Sequence, residues 1–209
     1  MIQLIVDNNS KESMEFEAPQ VLDSGVYKCQ VTKSYFKTAN SGAVAVFLEL
    51  DIDGKILKSS DYISNKEGKT YYINKKSGDS TQLPGYTKMN KLARMLTQKN
   101  IEQQETTQEI LINNYNGVTT RTPIDNIDWV GAELTIGVIK MEENKQEKDE
   151  FGNYVPVNTK VIKNEIKYFF EPDDILITTF KNKYPKDYIL NKYVEVKDTK
   201  KNNNIEVPF

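Results

Sequence analysis

Residues 25–63 read GVYKCQVTKSYFKTANSGAVAVFLELDIDGKILKSSDYI, and this stretch decides the fold. Over Gly25 to Phe36, Tyr27, Cys29 and Val31 alternate with Lys28, Gln30 and Thr32. That period of two marks a strand with one buried face. Thr38 to Gly42 is turn-rich, and Ala43 to Asp51 then sets Val44, Val46, Leu48 and Leu50 on one face against Ala45, Phe47 and Glu49 on the other. Asp53-Gly54 between two such runs is the signature of a two-residue hairpin loop, so Lys55 to Ile63 is expected antiparallel to its predecessor. If Leu57 and Ile63 face the core, Lys58 and Tyr62 face out together, although apolar Ile56 shares their side.

Downstream, Lys69 to Lys76 reads as a further strand with Tyr71/Ile73 and Tyr72/Asn74 on opposite sides. After Leu83-Pro84-Gly85-Tyr86 the period lengthens to that of a helix, with Met89, Leu92, Ala93, Met95 and Leu96 as its apolar stripe and Thr87 as the expected cap. Gln103 to Asn114 reads as a second helix with a polar face, Asn116-Gly117 as a turn, and Trp129 as a core residue. Ala132 to Met141 and Thr159 to Phe170 form the arms of a long late hairpin, whose tip spans Glu142 to Val157 and carries Phe151 and Tyr154 about Gly152-Asn153. Pro172 ends the second arm, and Ile175, Leu176, Ile177 and Phe180 mark a short packed element. The expected class is mainly β, a β-barrel with one or two short helices. Residues 1–20 read as an acidic arm whose Ile2 to Val6 could join a sheet edge, 21–180 as the barrel domain, and 181–209 as a C-terminal tail.

Composition narrows the chemistry. Histidine is absent and Cys29 is the only cysteine, which excludes Ser-His-Asp and Cys-His catalysis, a Cys/His zinc site and an internal disulfide. Cys29 is expected to be a small core residue, and no cofactor or metal is expected. The net charge of −2 conceals a segregation: residues 21–100 hold thirteen bases and seven acids, whereas residues 101–154 hold four and eleven. In the basic block lysines interleave with tyrosines on strand-like segments. Ammonium groups for phosphates and flat rings for unpaired bases suit a single-stranded nucleic acid, and a local positive field acts even on a mildly acidic whole. A rival enzymatic reading, a Mg²⁺-dependent nuclease, takes Asp125 with Glu165 and Lys167 as metal-holding and water-assisting groups. Glu-x-Lys also begins at Glu67, Glu143 and Glu195, so the expectation is a non-enzyme. The third reading is a non-catalytic interaction or structural protein with a β-barrel.

The order strand, strand, strand, helix, long hairpin, with Gly25-Val26-Tyr27, Asp53-Gly54, Leu83-Pro84-Gly85-Tyr86 and Trp129-Val130-Gly131 at its corners, resembles phage-encoded single-stranded-DNA-binding proteins of the OB-fold kind over roughly residues 14–171. The resemblance implies sequence-independent coating of single strands in replication, recombination or repair, in the cytoplasm of a bacterial host. It places the site on Lys28, Lys33, Phe47, Lys58, Tyr62, Lys69, Tyr71, Tyr72 and Lys75. The ending Ile205-Glu206-Val207-Pro208-Phe209 is similar to the apolar tip of bacterial single-strand-binding proteins, which implies a partner-binding role for Val207, Pro208 and Phe209 towards replication or recombination proteins. Here Lys197, Lys200 and Lys201 stand where that pattern has acids. No membrane partner is implied, and a homo-oligomer is compatible with the sequence.

Overall fold

The structure is a computed structural model that describes residues 21–115 and 118–196, the side chains of 113–115 and 118 excepted. The 1–20 arm with its Ile2 to Val6 strand, the Asn116-Gly117 turn and the Val207-Pro208-Phe209 tip lie outside the described residues.

Among the described residues ten strands and two helices follow in order: β1 Gly25–Thr38, β2 Val44–Ile52, β3 Lys55–Tyr62, β4 Tyr71–Ile73, β5 Ser80–Gln82, α1 Pro84–Thr97, β6 Thr106–Tyr115, β7 Val118–Ile127, β8 Glu133–Lys148, β9 Tyr154–Phe170, α2 Leu176–Lys183 and β10 Ile189–Asn191. The chain is mainly β, as expected. Asp53 and Gly54 both take positive φ, 51° and 83°, and the Gly54 amide donates to Asp51 Oδ1 at 2.7 Å; β3 runs antiparallel to β2 as anticipated, with Leu57 opposite Leu50.

Strand β1 is the axis of the sheet. One edge takes β2, and the other takes β7 and then β8 in succession. The corner between those two is sealed by Gly131 N–H donating to the Val31 carbonyl and Val31 N–H donating to that of Ala132. β9 continues the sheet beyond β8, so the main run is β9-β8-β1-β2-β3, an OB-fold-like order. The inner face carries Val31, Val46, Leu48, Leu50, Ile52, Ile136, Val138 and Phe169, and α1 covers it with Met89, Leu92 and Ala93. Spacings of three and four put those side chains on one helix face.

Among the described residues no ladder joins β3 to β9. α1 bridges them instead: Lys88, itself largely buried, pairs with Asp61 on β3 and donates to the Ile166 carbonyl on β9. A side chain on Gly85 would run into the Tyr62 carbonyl, so the first turn of α1 can seat against the end of β3 only with glycine there.

Three expectations need correction. Gln103 to Asn114 is not a helix: a single 3-10 turn at Ile101–Gln103 leads into β6, where Ile110 and Ile112 stand in a ladder with β7. β-branched residues favour that extended ladder. Thr87 does not cap α1. Extended Leu83 precedes Pro84, whose ring presets the first helical turn, and the Thr87 hydroxyl donates back to the Leu83 carbonyl. The late hairpin stays paired further out than expected, from Lys148 opposite Tyr154, which shrinks the tip to residues 149–153. Trp129 and Cys29 are core residues as anticipated, and burial pushes the Cys29 thiol up to about 12, so it stays protonated.

On the opposite side of the sheet α2 lays Phe180 against Phe170 and Ile139, making a second small core. The chain then returns along β8 as β10. Three asparagines hold extended backbone by a paired amide contact. Asn164 accepts from the Leu22 N–H and donates to its carbonyl, both at 2.8 Å. Asn144 treats Val194 the same way, and Asn158 treats Val196. Neither described helix is long and apolar enough to cross a membrane.

Candidate nucleic-acid interface

The outer face of β1, β2 and β3 is set by one irregularity. The β1–β2 register shifts between Val31 and Lys33, leaving Thr32 as an extra residue in β1. A bulge of this kind inverts the facing of everything after it. Cys29 and Val31 point inward before it and Ser34 after it, so Lys28 and Gln30, and then Lys33 and Tyr35, all point outward although their numbers differ in parity.

Cross-strand pairing assembles the site row by row. Lys33 stands opposite Glu49, which stands opposite Lys58; Tyr35 stands opposite Phe47, and Phe47 opposite Ser60; Lys37 stands opposite Ala45, and Ala45 opposite Tyr62. Tyr35 and Phe47 are stacked, their ring centroids 5.1 Å apart and their planes 1° from parallel. Lys37 Nζ sits 5.5 Å from the Phe47 centroid, and Tyr62 is 55 % exposed. The result is a half-buried two-ring shelf with an open third ring nearby and ammonium groups on its margins.

Glu49 organises two of those cations. Its carboxylate lies 3.2 Å from Lys33 Nζ and 3.4 Å from Lys58 Nζ. Burial pushes the carboxyl up, but the hydrogen bond and charge of Lys33, followed by those of Lys58, hold it below the ordinary Glu value. The Tyr35 phenol is raised by burial and secondarily by the Glu49 charge, so it stays neutral. Replacing Glu49 with glutamine is expected to release both ammonium groups and to raise affinity for oligo-dT by about 3-fold at low salt. A weaker complex in a titration of Glu49→Gln would contradict this placement.

Of the nine residues singled out in the sequence, Lys33, Phe47, Lys58 and Tyr62 come together on this face. Lys28 is on the same side of β1 but beyond the end of β2, where it lines a separate hollow with Ile177 and Lys181 of α2. Lys69, Tyr71, Tyr72 and Lys75 belong to the segment around the β4–β5 ladder, a small sheet of its own with both faces of β4 exposed. Lys69 is paired with Glu67 at 2.8 Å.

Tyr35 and Lys37 were not among the nine. The signal for them was Lys33, a charge at a position that simple alternation assigns to the core. Asp125 is on β7, and Glu165 is on β9, held at 2.7 Å by Lys167 and at 3.5 Å by Lys192. Among the described residues no three Cys, Asp or Glu side chains are grouped to hold a metal ion. No family model, curated protein or solved structure matches this chain.

Proposed function

We propose that this protein binds single-stranded DNA without sequence specificity through the outer face of β1, β2 and β3. The observation that carries the reading is the parallel Tyr35–Phe47 shelf framed by Lys33, Lys37 and Lys58, with Tyr62 exposed in the next row. Rings offer every base the same apolar plane, and lysines meet phosphates as point charges. The two arginines of the chain, Arg94 and Arg121, lie on α1 and β7, away from this face, so it lacks the forked donor that reads guanine. The face of the second and third strands is also where five-stranded barrels of this order take up oligonucleotides. On this reading the protein coats exposed single strands during replication, recombination or repair, and the Val207-Pro208-Phe209 ending docks a replication or recombination partner.

The test is fluorescence anisotropy of labelled oligo-dT and of duplex of equal length, across a salt series. Oligo-dT is expected to bind more tightly, with log affinity falling by about 0.7 per phosphate neutralised for each unit of log salt concentration. Salt-insensitive binding, or a preference for duplex, would overturn the proposal. Shortening of the probe on adding Mg²⁺ would favour the nuclease instead.

A further inference from the structure

We propose that the cleft beside the ring shelf is a base-edge subsite, which favours bases with an exocyclic amino group over thymine. This rests on the single-strand reading above and gives that site a composition preference. The register carries the shelf across the sheet: Phe47 pairs with Tyr35, Tyr35 with Asn126 of β7, and Asn126 with Thr107 of β6. Neighbouring strands are about 4.8 Å apart, so a base lying on Tyr35 brings its edge over Asn126.

That position opens into a cleft of about 680 Å³, within the range of small-ligand sites. Buried Ile124 gives it an apolar floor, and its polar lining includes Lys33, Glu105 and three threonines as well as Asn126, Glu109 and Asp128. The side chains of Asn126, Glu109 and Asp128 have no hydrogen-bond or ion-pair partner among the described residues. The carboxylates only accept hydrogen bonds, whereas the Asn126 amide both accepts and donates. Cytosine and adenine present an amino donor where thymine presents a carbonyl oxygen. The acceptor-rich cleft satisfies the first and repels the second.

Charge sets the direction in which a strand would lie. Lys33, Lys37 and Lys58 border the shelf on the β1–β3 side, Lys33 at the β1 edge of the cleft and engaged by Glu49, while Glu109 and Asp128 have no ion-pair partner among the described residues. Phosphates are therefore drawn to the lysine side and repelled by the carboxylates on the β6–β7 side of the cleft, which leaves base edges to enter there.

The experiment compares oligo-dC with oligo-dT of equal length near neutral pH, together with an oligomer of 2-pyrimidinone deoxynucleotide, which is cytosine without its amino group. Oligo-dC is expected to bind about 10-fold more tightly than oligo-dT, and the pyrimidinone oligomer to lose that advantage. Asn126→Ala, and separately Glu109→Gln, should bring the dC/dT ratio towards one by weakening dC the more. Oligo-dT binding as tightly as oligo-dC, or a ratio unchanged in both variants, overturns the subsite while leaving single-strand binding intact. Failure to bind any of the three probes overturns both.

Discussion

Replacing Tyr35 and Phe47 together with alanine is expected to weaken oligo-dT binding by about 100-fold while leaving its salt dependence nearly unchanged. A base stacked on an aromatic side chain contributes about 1–3 kcal/mol, and each 1.4 kcal/mol is a factor of ten. The two rings are mutually stacked at 5.1 Å, so their effects should not add in full. The slope of log affinity against log salt counts neutralised phosphates, and Lys33, Lys37 and Lys58 are all retained in the double variant. The slope therefore separates loss of rings from loss of cations. Both side chains are only half-buried on the outer face, so the variant should remain folded, which the thermal transition checks. A folded double variant that loses less than about 3-fold would remove the shelf from the binding site.

Trp129→Ala is expected to destabilise the fold by about 4 kcal/mol, the scale for deleting a large buried aromatic side chain. The indole is 2 % exposed at the corner where the chain leaves β7 for β8, and that corner is sealed onto Val31 of the central strand. Its Nε1–H donates to Gln104 Oε1 at 3.0 Å, and the Gln104 amide nitrogen in turn reaches Thr97 and the carbonyls of Lys99 and Asn100. Truncation empties the pocket and removes the indole donor from that oxygen, leaving it the Thr97 hydroxyl at 3.1 Å. Trp129→Phe keeps much of the volume and loses only the donor, so about 1–2 kcal/mol is expected. Urea unfolding of the two variants reads both effects, and a loss below about 1 kcal/mol for Trp129→Ala would show that the corner does not depend on the indole.

The main strands of the sheet were legible because their chemistry is local. Alternation in residues 44–50, the Asp53-Gly54 loop and the stripe of α1 each act within a few residues, and the structure reproduces all three. The site was half legible for a related reason. Phe47, Lys58 and Tyr62 follow from one hairpin register, but Tyr35 depends on a bulge that adds one residue at Thr32 and reverses the phase of β1. No residue in that bulge is a glycine or proline, so the usual punctuation was missing. The β6 misreading has a different cause. Glu102, Gln103, Gln104 and Glu105 have fair helix propensity, but pairing with β7, a tertiary effect, holds Thr106 to Tyr115 extended. The strand run of the C-terminal segment along β8 is likewise set by partners far away in sequence, Glu142 and Asn144 among them.

Those asparagine contacts carry a consequence for chemical durability. Hydrolysis of a side-chain amide to an acid exchanges one nitrogen for oxygen and changes the residue's mass by about one dalton. At Asn144 it would leave the acceptor facing the Val194 N–H and set a second, anionic oxygen against the Val194 carbonyl. Attraction at one end of the pair would be matched by repulsion at the other. Asn158 stands in the same relation to Val196. Two nitrogen atoms thus help to hold residues 194 and 196 in place, and ageing of a purified sample at those atoms would loosen the segment without cutting a single backbone bond.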